Sequence, residues 1–182
     1  MANFDTPRLR CRSLSLSEYQ IFEEGLEPEW ENFTNPYGHL VIGPSPLRHR
    51  IPKVKKNLEF AEIGLVLAIE KETKSLIGSA GFHDLPNSDG MIEIGFGIVP
   101  AMQNKGFGQE LLRGMWQMIL EDSIVKILRY TVSPENLPSV HIIEKLNFNL
   151  VGTQFDEEDG PELIYEMSSA DYIKNTGGDE EI

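Results

Sequence analysis

The sequence predicts an α/β (α+β) fold, a mixed central sheet of about seven strands with helices on both faces. Two observations carry this expectation. Short β-type runs and segments with helical periodicity interleave along the chain. One such segment, 107–120, has a single apolar face of Leu111, Leu112, Met115, Ile119 and Leu120, and a strand precedes it across a glycine-containing loop. The chain has 182 residues. That length suits one domain able to bury about 70% of its unfolded surface. The expected division is one domain over 1–174 and a flexible acidic tail over 175–182.

The elements follow in order. Residues 9–14 alternate apolar and polar, with Leu9, Cys11 and Ser13 against Arg8, Arg10 and Arg12, which reads as a half-buried strand. Ser17-x-x-Gln20 has capping-box spacing and opens a helix ahead of Ile21 and Phe22. Residues 26–60 are broken by Pro28, Pro36, Pro44, Pro46 and Pro52, which leaves room for short helices at most. Residues 64–70 and 76–82 read as a hairpin around the turn Lys71-Glu72-Thr73-Lys74. Pro86-Asn87-Ser88-Asp89-Gly90 is a turn, and 91–99 is the next strand. After the helix at 107–120 come a strand at 127–132 and a short helix at 139–146. Asn136 is placed to cap that helix, and Asn147 to end it in the left-handed conformation. Strands at 148–155 and 163–167 close the fold.

Composition narrows the function classes. The net charge is −13, and residues 156–182 account for −9 of it, with ten acids against one base, Lys174. The preceding 155 residues carry only −4, from 15 bases and 19 acids. No basic field suggests nucleic-acid binding. The longest apolar run, 65–69, is too short to span a bilayer, and Asp5, Arg8, Arg10 and Arg12 interrupt any N-terminal signal segment. The one cysteine, Cys11, cannot form an intrachain disulfide, so a cytoplasmic setting is expected. Arg48, His49, Arg50, Lys53, Lys55 and Lys56 form a basic run. It is either a solvated face or a patch for an anion.

The chemistry centres on Gln103-Asn104-Lys105-Gly106-Phe107-Gly108. Here successive backbone N–H groups can converge on an anion at a helix start, where the helix adds about half a positive charge. Glycine lets the backbone approach a phosphate closely, and Lys105 could add a full charge. The loop is neither a Walker A sequence nor a dinucleotide fingerprint, which argues against ATP hydrolysis and NAD binding. Taken with the strand Ile92-Glu93-Ile94-Gly95-Phe96-Gly97-Ile98-Val99-Pro100, the pattern Gln103-x-x-Gly106-x-Gly108 resembles the pyrophosphate motif of the GNAT acetyltransferase superfamily. Asn136-x-x-Ser139-x-His141-x-Ile143-x-Lys145-Leu146-Asn147-Phe148 resembles the family's second block. Thr6-Pro7-Arg8-Leu9-Arg10-Cys11-Arg12 resembles the first strand of the branch that acetylates ribosomal-protein N-termini.

That resemblance implies a sheet splayed beside strand 91–99, with acetyl-CoA as cosubstrate in the gap and no metal. Backbone groups near Ile98 and Val99 would pair with pantetheine. Gln103, Asn104, Lys105, Gly106, Phe107 and Gly108 would hold the pyrophosphate. Asn136 would either hydrogen-bond the pantetheine arm or only cap its helix. An acceptor amine is mostly protonated at neutral pH, with a pKa of about 7.7–8.0 for an α-amine and ~10.4 for lysine. It must lose a proton before attack. Glu93 is the first candidate base, against a purely orienting role. His83 could titrate usefully, although a lone histidine at a strand end is more often structural. The family's usual thiolate acid is a tyrosine seven positions after the motif asparagine; here that position is Ile143. Ser139 matches a serine with that role in the ribosomal-protein branch, and its alternative is a plain first-turn residue. The partners implied are acetyl-CoA and an amine, with no nucleic acid or membrane, in a monomer or homodimer. The acceptor, a protein N-terminus or a small amine, is expected beside 26–60 and 84–90. A non-catalytic acyl-CoA-binding module and an unrelated phosphate-binding domain are the competing readings.

Overall fold

The computed structural model describes residues 3–43, 45–158 and 160–176. In chain order the strands are β1 (Asn3–Asp5), β2 (Leu9–Ser13), β3 (Val66–Glu70), β4 (Ser75–Phe82), β5 (Met91–Ile98), β6 (Ile127–Val132), β7 (Asn149–Asp156) and β8 (Gly160–Ser168). The helices are α1 (Leu16–Glu23), α2 (Leu47–Lys56), α3 (Ala61–Gly64), α4 (Phe107–Ile119), α5 (Leu137–Lys145) and α6 (Ser169–Thr176). The strands form one eight-stranded open sheet in the order β1-β2-β3-β4-β5-β6-β8-β7. The described residues fall into two compact units, one from Met1–Asp84 and Phe96–Met118, the other from Leu85–Gly95 and Ile119–Ile182.

In the first unit β2, β3 and β4 pair antiparallel, and a bulge at Ala68/Ile69 shifts the register of β3 against β4. Strand side chains alternate between faces, and a bulge switches that alternation. Leu67 and Ile69 share a face by alternation, the bulge sets Leu76 opposite Ile69, and all three join one buried cluster with Leu14, Tyr19, Val54, Phe60 and Ala61 of the α1–α3 side. Phe82 faces the other way, against Trp116 of α4 at 5.7 Å between rings. Both faces of β4 are covered, which is why all eight of its residues are buried. Helix α4 lies close to the N-terminal segment: a Cβ at Gly114 would stand 2.4 Å from Phe4 Cε2.

The basic run forms α2 despite Pro52. Proline removes one N–H donor from a helix, but tertiary contacts hold this one. Leu47 and Val54 are buried in the core, Arg50 donates to the Gly64 carbonyl at 3.0 Å, and Lys53 donates to the His83 carbonyl at 2.5 Å. Lys53 and Lys55 pair with Asp84 and Glu23 at 2.9 and 2.7 Å. These basic groups tie α2 to its neighbours, and the buried Arg50 departs from the solvated face expected of the run.

The N-terminus of α1 differs from expectation. Its cap is Ser15, not Ser17, and Glu18 completes the capping box. Both spacings fit the sequence. Glu18 is favoured because Arg12 binds both its carboxylate oxygens, at 2.6 and 2.9 Å.

In the second unit β6 and β8 pair antiparallel, with Tyr130 opposite Tyr165, and β7 lies at the sheet edge beyond β8. Arg129 and Glu166 face each other across this pair, Nε to Oε1 at 2.7 Å. Helix α5 buries Ile143, while Phe148 meets Tyr172 of α6 edge-on at 6.3 Å. Asn147 has φ 62°, the left-handed turn expected of it. Strand β1 and helix α6 add to the sequence-based element list. Asn175 and Thr176 belong to α6, and the rest of the tail expected at 175–182 lies outside the described residues. No helix among the described residues is long and apolar enough to cross a membrane.

Candidate active site

The 103–108 loop is built from the end of β5 onward. Val99 N–H donates to the Ile77 carbonyl at 2.9 Å, which anchors the strand end on β4. Pro100–Met102 makes one turn of 3-10 helix. The Gln103 side chain then folds back, its Nε2 donating to the Ile98 carbonyl at 2.8 Å. Two of the backbone groups expected to face pantetheine, the Ile98 carbonyl and the Val99 N–H, therefore already have partners within the chain.

Asn104 and Gly106 have φ of 60° and 83°. A turn with left-handed residues at alternate positions can line up successive backbone N–H groups, as an anion-binding nest does. Gly106 is required for its dihedral: an added Cβ would meet only Arg8 Nη2, at 3.3 Å, but at a φ that L side chains rarely adopt. The first bond of α4 runs from Glu110 N to Gly106 O at 3.1 Å. The N–H groups of Phe107, Gly108 and Gln109 thus precede the intrahelical ladder and mark its donor-rich end. Phe107 and Gly108 are buried, while Gln103, Asn104, Lys105 and Gly106 are exposed. The Lys105 ammonium lies 3.5 Å from Met102 Sδ.

The second unit holds two further groups of predicted residues. Glu93 on β5 is half-buried, and Oγ1 of Thr131 on β6 donates to its Oε1 at 2.5 Å. The parallel register of β5 with β6 runs from Met91↔Ile127 to Ile94↔Tyr130 and stops there, although β5 continues to Ile98 and β6 to Val132.

Asn136 caps α5, its Oδ1 accepting from Ser139 N at 3.3 Å. An asparagine amide has an acceptor and two donors, so capping leaves its NH2 able to serve a ligand. The two readings of Asn136 are compatible. Ser139 is half-buried and stands near enough to Tyr130 on β6 to act on its phenol. Burial pushes the Tyr130 phenol up to about 12, with Ser139 opposing and the Glu162 charge adding to the rise. Ile143, fully buried, is a core residue of α5. Among the described residues, no group of three or more His, Cys, Asp or Glu side chains could hold a metal.

Thr131 and Tyr130 went unnoticed in the sequence. Only strand periodicity could have pointed to them, because each acts by pairing across the sheet or onto a helix. Arg8 and Glu110 were also missed as partners. Glu110 accepts from Thr6 Oγ1 at 2.5 Å, Arg8 N at 2.8 Å and Arg8 Nε at 2.7 Å. Burial alone would raise its carboxyl, but these bonds and the Arg8 charge outweigh burial and hold it below the ordinary carboxylate range.

Comparison with known proteins points the same way. Residues 8–149 match the family model for the acetyltransferase (GNAT) domain, a span that runs through both units. The chain is 25% identical over 161 residues to the uncharacterized N-acetyltransferase p20 of Bacillus licheniformis, covering 87% of this chain and 88% of that protein. It is 30% identical over 84 residues to the uncharacterized N-acetyltransferase YjdG of Bacillus subtilis, 46% of this chain and 50% of that one. Among solved structures, a mutant form of the spermidine/spermine N-acetyltransferase SpeG from Vibrio cholerae matches with TM-score 0.66 at 15% identity, over 93% of this chain and 98% of its own. A putative ribosomal-protein-serine acetyltransferase from Vibrio cholerae matches with TM-score 0.64 at 18% identity, over 92% and 97%. At those identities the likeness is one of fold. With the family match spanning most of its length, and a glycine loop opening α4 after a strand, this chain belongs to the GNAT acetyltransferase domain family.

Proposed function

We propose that the protein transfers an acetyl group from acetyl-CoA to a primary amine, a protein N-terminus or a small amine, by direct attack on the thioester. The observation that carries this reading is the 103–108 loop, a nest-like turn set against the donor end of α4. It suits the pyrophosphate of the cosubstrate that the family uses. In this reading Gln103, Asn104, Lys105, Gly106, Phe107 and Gly108 hold the pyrophosphate. Backbone groups of Ile98 and Val99 beyond the two with partners in the chain, and the Asn136 NH2, hold the pantetheine arm.

Glu93 takes the amine's proton, directly or through water, with Thr131 fixing its orientation. The nitrogen lone pair then forms a bond to the acetyl carbon, the nitrogen gives up its second proton to water, the C–S bond breaks, and the thiolate receives a proton from Ser139. Tyr130, still protonated at neutral pH, restores the proton lost by that hydroxyl and, being buried, is reprotonated through the half-exposed Ser139. In this reading the neighbouring hydroxyls of Ser139 and Tyr130 stand in for the usual tyrosine at 143.

The fully buried Ile143 favours one competing reading, a silent acyl-CoA-binding module. Acetyl-CoA-dependent thiol release, assayed over a panel of peptide N-termini, polyamines and small amines, separates the two. Release with at least one acceptor supports transfer. Binding of acetyl-CoA without release from any acceptor supports the module. The assay has a low background here, because the one cysteine, Cys11, is buried and its thiol is pushed up to about 12 by that burial and by the charges of Asp5 and Glu110.

A further inference from the structure

The N-terminal segment Thr6–Arg8 has no role in the account above, yet its polar contacts converge on the 103–108 loop and the first turn of α4. The Arg8 guanidinium reaches Glu110 Oε2 through Nε at 2.7 Å and through Nη2 at 2.6 Å. Its Nη1 donates to the Lys105 carbonyl at 2.8 Å. The same group lies over the Phe107 ring at 4.3 Å from the centroid. One side chain therefore contacts the middle of the loop, the first residue of α4 and the carboxylate of the first helical turn. Arginine suits this place because its planar fork makes several directed bonds from a single charge.

The bond to Lys105 fixes a peptide plane. In a trans peptide the carbonyl and the following N–H point in opposite directions. With the Lys105 carbonyl held by Arg8, the Gly106 N–H points to the opposite side of the loop. Released from Arg8, this peptide could rotate, since Gly106 tolerates either sign of φ. A rotated carbonyl would present its negative end where a phosphate oxygen has to bind. Glu110 poses a related problem: a carboxylate in the first turn of α4 would repel a bound anion. Its bonds to Thr6, the Arg8 amide and the guanidinium tie it back.

We propose that Arg8 and Glu110 are positioning residues for the coenzyme loop: Arg8 orients the Lys105–Gly106 peptide for pyrophosphate binding, and Glu110 holds Arg8 in place. This rests on the reading of the protein as an acetyl-CoA enzyme. It also gives the Thr6-x-Arg8 segment a function at the donor half of the site rather than only a place in the turn between β1 and β2.

The test uses the full chain with Arg8→Gln, Glu110→Gln and the conservative Arg8→Lys. Two acetyl donors are compared, acetyl-CoA and S-acetylpantetheine, which lacks the pyrophosphate. Arg8→Gln should weaken acetyl-CoA binding at least tenfold, with the loss in KM rather than kcat, and leave kcat/KM for S-acetylpantetheine within twofold of the parent. Glu110→Gln should show the same selective loss, smaller in size. Arg8→Lys keeps the charge without the fork and should rescue less than half of the loss on a logarithmic scale. Equal losses with both donors, no loss with acetyl-CoA, or full rescue by lysine would each overturn the proposal. A parent that fails to bind acetyl-CoA at all would instead overturn the functional reading beneath it. If Arg8→Gln does not fold, the lysine variant and Glu110→Gln decide by the same donor comparison.

Discussion

Thr131 Oγ1 donates to Glu93 Oε1 at 2.5 Å, from β6 to β5, two positions beyond the residue that faces Glu93 in the parallel register. A donor to a carboxylate favours its charged form and fixes its direction. Both are useful to a base that must be ionised and aimed. Glu93→Gln should lower turnover at neutral pH by about 10²-fold, the lower range for loss of a general base, with little change in acetyl-CoA affinity. Thr131→Val keeps the branched shape and removes the donor, so the acid limb of the pH–rate profile should move to higher pH. Profiles identical to the parent in both variants would exclude Glu93 as the base.

The Ser139–Tyr130 contact makes a separate prediction about the leaving group. A thiolate needs a proton donor less as its own pKa falls. Ser139→Ala should slow transfer from acetyl-CoA more than from an acyl donor whose thiol is more acidic. Tyr130→Phe should have the same selectivity and cost about 1 kcal/mol of stability for the lost hydrogen bond. Rates that fall equally with both donors would assign Ser139 to the helix start alone.

Ile143 is fully buried, so the family's tyrosine cannot simply be put back. Ile143→Tyr should destabilise the fold by about 1–3 kcal/mol through overpacking and should not raise kcat. Urea unfolding alongside initial rates checks both parts. A rise in kcat would mean that the site is waiting for a phenol at that position.

His39 gives the fold an acid-sensitive point. Its ring lies 2.9 Å from Ser79 Oγ on β4, and burial lowers its pKa to about 4. The unfolded chain takes up this proton near pH 6.5 and the folded chain only near 4, so the unfolded state binds more protons between those values. Stability is full above about pH 6.5 and is lost as the pH falls toward 4. Urea midpoints measured from pH 7.5 to 4 should decline over that window, and His39→Gln should flatten the decline. An unchanged slope would place the acid sensitivity elsewhere.

The fold was legible where local pattern and burial agree. Helix α4 and strands β3 to β6 carry periods that one face or both faces of a sheet impose. The cap of α1 was ambiguous because Ser15-x-x-Glu18 and Ser17-x-x-Gln20 share a spacing. A fork from Arg12, on a different element, settles it. Helix α2 was hidden by Pro52, since propensity sees the lost donor but not the contacts from Arg50 and Lys53 that offset it. The same limit applies to the candidate site. Gln103 to Gly108, Asn136 and Ser139 could be proposed from motifs because the roles proposed for them are local to a loop or helix start. Tyr130, Thr131 and the Arg8–Glu110 pair act across the fold, the last over 102 positions of sequence, and no local pattern encodes such a contact.

The central claim is that the 103–108 loop binds the coenzyme pyrophosphate, and calorimetric titration of acetyl-CoA into the parent and Gly106→Asp tests it most directly. Position 106 combines a φ of 83° with a place just before α4, so aspartate adds backbone strain and a negative charge at the proposed phosphate site. The parent should bind, and the variant, checked for folding by its thermal transition, should show no measurable heat of binding. Equal affinity in the two folded proteins would contradict the assignment of the loop.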